Sequence, residues 1–228
     1  MRNRGLAAIP AVVVALAACP TALAGDPLPT TTTLGVSAST VTYGKPVTLN
    51  AHVSGATSGT MALYETPLGG SQMLLVTVPV NASGNASFVV EPTGKTTYTA
   101  EFQESATHAS SSSPGRTISV RSKATATLSG FYGRSGKYRL YRPGRDVNVR
   151  GTVVPNHYGQ SLKFVAQRYR DGKWRKAATG SFPIQYDGSA YAVLSNATRG
   201  KYRQRVVFAG DADHLGSKSR WVYLKVTR

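Results

Sequence analysis

Phe102 and Phe208 are 106 residues apart, and the same interval separates His108 from His214, Ile118 from Leu224 and Val120 from Val226. Upstream, Tyr43-Gly44-Lys45-Pro46-Val47-Thr48-Leu49 is echoed by Tyr141-Arg142-Pro143-Gly144-Arg145-Asp146-Val147-Asn148-Val149, and Thr33-Leu34 by Thr127-Leu128. A repeat of this length is a whole domain rather than one unit of a solenoid. Within each repeat short apolar–polar alternations such as Val47–Val53 are separated by turn residues. No segment beyond the first residues carries a sustained helical period, so the chain reads as all-β, two tandem β-sandwiches. Asp171-Gly172 and Asp187-Gly188 read as two-residue hairpin turns.

The first residues read differently. Met1-Arg2-Asn3-Arg4 is a basic start, Gly5–Ala18 an apolar run, and Ala22-Leu23-Ala24 a small-x-small cleavage site. These are the parts of a secretory signal peptide, and no later stretch reaches the ~20 apolar residues of a membrane span. Leu16-Ala17-Ala18-Cys19 also resembles the lipobox of bacterial lipoproteins, which would lipidate Cys19 and hold the protein at the cell surface. Pro20 directly after Cys19 disfavours that site, so secretion after Ala24 is the favoured expectation and a lipid anchor the alternative. Cys19 is the single cysteine of the chain, so no intramolecular disulfide is available and the fold must rest on its core. The expected organisation is signal peptide 1–24, a Pro/Thr-rich leader 25–32, a first domain 33–120 and a second domain 121–228.

Thr40–Leu49, Gly59-Thr60-Met61-Ala62-Leu63-Tyr64 and Tyr98-Thr99-Ala100-Glu101-Phe102 resemble bacterial Ig-like repeats. The resemblance covers about residues 32–120 and, more loosely, 124–228. The second domain is similar to a module of secreted actinobacterial proteins, carried by Gly172-Lys173-Trp174-Arg175 and Phe208-Ala209-Gly210-Asp211-Ala212-Asp213-His214. The Gly-Asp of that family stands at Gly210-Asp211 and is replaced by Gln103-Glu104 in the first repeat. The resemblance implies two tandem immunoglobulin-like domains and an extracellular accessory role without catalysis.

Charge separates the two repeats. Of 27 Lys and Arg, 22 follow residue 120, against five of the ten acids, so the entire net charge of +17 belongs to the second repeat. Fifteen of the 20 aromatic residues lie there too. If Asp171-Gly172 is a hairpin tip, Arg170 faces Lys173, Tyr169 faces Trp174 and Arg168 faces Arg175. Arg168, Arg170, Lys173 and Arg175 then share one face and the two aromatics the other. With Phe208 inward, parity turns Tyr202, Gln204 and Val206 inward and Lys201, Arg203 and Arg205 outward. With Leu224 and Val226 inward, Trp221, Tyr223 and Lys225 point out. Lys137–Arg142 adds cations and tyrosines of the same kind.

The expected function is electrostatic capture of an anionic cell-wall polymer, polysaccharide or lipid surface, with aromatics stacking alongside. The candidate binding residues are Arg168, Arg170, Lys173, Trp174, Arg175, Lys201, Arg203, Arg205, Trp221 and Tyr223. The alternative is a structural module, or one that adheres to another protein through a sheet edge, with a solvated basic face. No nucleophile elbow, metal-ligand spacing or cofactor motif occurs, so no enzyme and no cofactor is expected. His108 and His214 read as structural turn residues. Asp211 and Asp213 fall short of the oxygens a calcium ion needs and read as loop caps. Glu65, Glu91, Glu101 and Glu104 read as exposed residues at strand edges.

Overall fold

The computed structural model describes residues 26–227; the predicted signal peptide and Cys19 lie outside them. The chain is all-β there, with no helix. The first nine strands are β1 (Thr31–Val36), β2 (Thr40–Thr42), β3 (Val47–Ser54), β4 (Thr60–Pro67), β5 (Met73–Pro79), β6 (Asn85–Val90), β7 (Thr96–Phe102), β8 (Ser111–Ser112) and β9 (Arg116–Arg121). The next five are β10 (Lys123–Ser129), β11 (Gly133–Ser135), β12 (Tyr138–Tyr141), β13 (Val147–Val154) and β14 (Ser161–Arg170). The last five are β15 (Lys173–Pro183), β16 (Ser189–Leu194), β17 (Gly200–Gly210), β18 (His214–Lys218) and β19 (Val222–Val226).

Two three-stranded sheets, β1-β3-β6 and β10-β13-β16, each face part of one long sheet that runs through both halves. Alternation along the strands decides what enters the cores: in β3, Val47, Leu49, Ala51 and Val53 are buried while Asn50 and His52 are exposed. One core gathers Leu34, Leu49 and Phe88 from a three-stranded sheet and Met61, Leu63, Phe102 and Ile118 from the long sheet. The other gathers Val149, Val153 and Ala190 opposite Leu162, Phe164, Val206, Phe208 and Leu224. Sheets therefore pack face to face around two separate cores, in the manner of a sandwich. Parallel pairing of β18 with β9 joins the halves, with His214 opposite Val120.

The 106-residue interval is visible in detail. Ser113 Oγ accepts the buried backbone N–H of Ala100, and Ser219 Oγ accepts that of Val206, each at 3.0 Å. Ser105 Oγ caps the N–H groups of Thr107 and His108, as Asp211 Oδ1 caps those of Asp213 and His214. Each half also lays a short strand parallel to its last one, β2 on β9 and β12 on β19.

Asp171-Gly172 forms the two-residue turn, with φ of 51° and 75° and the expected facing pairs Arg170–Lys173, Tyr169–Trp174 and Arg168–Arg175. Asp187-Gly188 is a tight turn but not a hairpin, because the strands on either side lie in different sheets. The chain leaves β15 at Pro183, which has no N–H to continue a ladder, and Ile184 enters the core. Asp187 Oδ1 then accepts the Ser189 N–H and hydroxyl. Glu91 and Glu104 are exposed as expected, whereas Glu65 and Glu101 are half-buried on the internal strands β4 and β7. Glu65 faces Tyr98 across the β4–β7 ladder.

Candidate functional site

The sequence parity holds along β17: Tyr202, Gln204, Val206 and Phe208 are buried, and Lys201, Arg203 and Arg205 lie on the outward face. Register carries that face across the sheet. Val165 and Gln167 of β14 pair with Arg205 and Arg203, and Tyr223 of β19 pairs with Arg203 from the other side. Tyr138 of β12 is aligned with Tyr223, and the β15 partner of Tyr169 is Trp174.

The result is a lattice of cations held between aromatic rings. The Arg203 guanidinium lies 4.7 Å from the Trp174 ring and 4.2 Å from that of Trp221, and Arg205 lies 4.4 Å from Trp221. Lys201 sits 6.0 Å from Tyr138 and 5.9 Å from Tyr169, and Lys137 sits 4.3 Å from Tyr223. The rings brace one another: Tyr169 is 5.2 Å from Trp174, Trp174 6.0 Å from Tyr223, and Tyr223 5.8 Å from Tyr138. Arg203 Nε donates to Gln167 Oε1 at 2.8 Å. Arg205 Nε is buried and meets no acceptor among the described residues.

Among the described residues no acid pairs with the cations of this face. Lys137, Lys201, Arg203 and Arg205 make no salt bridge among those residues; Asp187 meets Arg150, Asp171 meets Arg175, and Asp211 and Asp213 meet the histidines. Cation–π contact is worth about 0.5–2 kcal/mol and orients a guanidinium without discharging it. The edges of the guanidinium groups keep their donors for carboxylate or phosphate oxygens, which Arg takes in pairs.

The ten residues read from the sequence do not make one surface. Trp174, Lys201, Arg203, Arg205, Trp221 and Tyr223 come together on the outward face. Arg168, Arg170, Lys173 and Arg175 lie on the opposite face of the same hairpin, because alternation sends them to the other side. There Arg168 Nη2 donates to the Arg199 carbonyl at 2.6 Å, and Arg175 lies 4.0 Å from Asp171. Arg168, Arg170 and Arg175 line a groove of about 450 Å³ against the loop Ser195–Thr198. Lys137, Tyr138 and Tyr169 belong to the outward face and were not among the ten. Alternation within single strands reveals Tyr169, but only the parallel β12–β19 pairing brings Lys137 and Tyr138 alongside.

No family model matches the chain, and no curated protein does.

Two other regions carry polar chemistry. An apolar groove of about 580 Å³ in the amino-terminal half is lined by Leu75, Val78, Phe88 and Tyr98 together with Glu65 and Glu91. Among the described residues no histidine, lysine or arginine lines it. Burial, and then the Glu65 charge, pushes the Tyr98 phenol up to about 12. At the junction of the halves, Asp211 is bonded by His157 Nδ1 at 2.9 Å and by Gln160 Nε2 at 2.8 Å. Partial burial works against its charge, but these hydrogen bonds and those of the His214 and Asp213 N–H groups outweigh it, and the carboxyl is held below the usual range. Asp211 thus caps its loop as the sequence reading expected.

Proposed function

We propose that this is a secreted or surface-attached, non-enzymatic protein of two tandem Ig-like domains, whose second domain binds an anionic polymer or surface. The first domain serves as a neutral spacer or display module. The observation that carries the reading is the acid-free face on which Lys137, Lys201, Arg203 and Arg205 are braced by Tyr138, Tyr169, Trp174, Trp221 and Tyr223. A solvated face that served solubility alone would interleave acids with its cations. Outward positions along a strand repeat at about 7 Å, so β17 offers a row of positive groups to an extended chain of phosphates or carboxylates. Wall polyol-phosphates, acidic polysaccharides and anionic lipid headgroups share that chemistry. The export signal expected from the sequence would bring the protein to where such polymers are found.

Co-sedimentation of the full chain with a linear poly(glycerol phosphate) tests the reading. The chain binds at low ionic strength and is released as salt rises. Replacing Lys137, Lys201, Arg203 and Arg205 with Gln abolishes binding, whereas Arg170→Glu with Lys173→Glu on the opposite face leaves most of it. Failure to bind at low ionic strength overturns the proposal.

A second reading is favoured by one observation. β5 closes one end of the long sheet, and Met73, Leu74, Leu75 and Val76 are all exposed on it. An apolar edge strand is a template for pairing with another chain. A lysine at Leu74 that abolished attachment, with the cationic face intact, would favour adhesion through this edge over polymer capture.

A further inference from the structure

The folded chain brings His157, from the turn between β13 and β14, beside Asp211, Asp213 and His214, from the turn between β17 and β18. One ring nitrogen each of His157 and His214 and an Asp211 carboxylate oxygen lie within 4.8 Å of one another, and Asp213 Oδ2 is 3.4 Å from His214 Nδ1. Both rings are 7% exposed.

Hydrogen bonding fixes the tautomer of His214. Its Nε2 is 2.7 Å from the Thr93 carbonyl oxygen, which can only accept, so Nε2 carries the hydrogen. In the neutral ring Nδ1 then carries no hydrogen and lies 3.4 Å from Asp213 Oδ2 and 3.8 Å from Asp211 Oδ1. Three acceptors facing one another repel unless a cation stands among them. His157 has the matching arrangement, with Nε2 3.0 Å from Ser122 Oγ and Nδ1 turned into the cluster. A remote ring nitrogen held by a carbonyl or hydroxyl is the outer-shell pattern of metal ligation; both rings show it, with His157 Nδ1 hydrogen-bonded to Asp211 at 2.9 Å.

We propose that His157, Asp211, Asp213 and His214 bind a transition-metal dication of the zinc class at the junction of the two halves. Two imidazole nitrogens and two carboxylate oxygens suit tetrahedral zinc, whereas calcium takes six to eight oxygens. Binding moves the His157 proton from Nδ1 to Nε2, where Ser122 Oγ accepts it, and no net proton leaves the ring. The metal also reaches the amino-terminal half. Lys95 N–H donates to Asp213 Oδ1 at 2.9 Å, and a Cβ on Gly94 would stand 2.5 Å from that carboxylate, so only glycine admits the loop so close. A metal that fixes Asp213 therefore fixes the loop Thr93–Lys95 against the other half. The proposal stands apart from the polyanion reading, since none of its residues lies on the cationic face.

Titration of the metal-free full chain with Zn²⁺ or Co²⁺ tests it. One equivalent binds, Co²⁺ shows the visible bands of a tetrahedral site, and Zn²⁺ but not Ca²⁺ raises the melting temperature. His157→Gln and His214→Gln each weaken binding at least about tenfold, Ser122→Ala weakens it by roughly that factor through the outer shell, and His52→Gln leaves it unchanged. Far-UV circular dichroism of the metal-free variants shows whether each is folded, and the Co²⁺ spectrum of Asp213→Asn, an exposed-side ligand, serves if a histidine variant is not. Absence of saturable one-to-one binding overturns the proposal. So does binding that survives in the double histidine variant, or a melting temperature that answers to added acid and not to Zn²⁺, which would make the occupant a proton only.

Discussion

On β7 the outward positions before Phe102 are Thr97, Thr99 and Glu101; on β17, before Phe208, they are Arg203, Arg205 and Val207. On the last strands Thr117 and Ser119 stand where the other half has Tyr223 and Lys225. The inward positions differ far less: Phe102 and Phe208, Ile118 and Leu224, Val120 and Val226 are all buried. In the amino-terminal half Thr97 and Thr117 satisfy each other at 2.8 Å, whereas in the carboxy-terminal half cations and rings fill the same ground. One scaffold thus carries two surfaces. Inward parity is held by packing density, and outward parity is free to change at little cost in stability. At these positions of β7 and β17, and of β9 and β19, the charge difference lies in the parity that the fold does not need.

The comparison can be broken most severely in the shared core. Phe102→Ala and Phe208→Ala each cost about 3–5 kcal/mol, measured by denaturant unfolding. If the two cores are separate, each lesion lowers protection from hydrogen exchange mainly in its own half. The next effect is on binding. Arg203→Thr with Arg205→Thr, which gives β17 the residues of β7, weakens polymer affinity about a hundredfold, or tenfold for each 1.4 kcal/mol lost, and lowers the melting temperature only modestly, through the lost cation–π contacts with Trp174 and Trp221. Thr97→Arg with Thr99→Arg gives the other half only a small gain, since it has no Trp to brace them. A smaller, symmetrical effect follows from the serine pair. Ser113→Ala and Ser219→Ala each strand a buried backbone N–H, of Ala100 and Val206, at a cost of roughly 1–3 kcal/mol.

The smallest effect is at alkaline pH. Burial pushes the phenols of Tyr98 and Tyr141 from 10.0 up to about 12. A group whose folded pKa is raised gives stability that is whole below the unfolded value and is lost as pH climbs through the folded one. Absorbance titration should therefore show two tyrosines silent near pH 10 and ionising near 12, with stability falling across that window. The neighbours act oppositely, since Glu65 adds to the rise at Tyr98 while Arg139 opposes it at Tyr141. Glu65→Gln should lower the first midpoint and Arg139→Gln raise the second.

Alternation and the constant interval made strand parity legible, so the inward set and the outward cations of β17 and β19 could be read from residues alone. Three things could not. The split of the cationic residues into two faces depends on how β14 pairs with β17, where Arg168 meets Tyr202 and not a neighbour of Arg203's face. The contribution of Lys137 and Tyr138 depends on a parallel pairing with β19 that no local pattern announces. His157 is 54 residues from Asp211 in the chain, and only two turns meeting at one end of a sandwich bring them into contact. Asp187-Gly188 carried a hairpin signal without a hairpin, because Pro183 and the apolar Ile184 divert the chain to the other sheet first.

The central claim is that the outward face of β17 attracts anions by charge that no acid of the described residues pairs with. It is tested most directly by the salt dependence of poly(glycerol phosphate) binding in the native chain and in the Arg203→Thr, Arg205→Thr variant. The account predicts a steep fall of affinity with salt, less steep in the variant by about 1.4 in logarithmic slope, at roughly 0.7 for each charge removed. Identical slopes for the two proteins would contradict it.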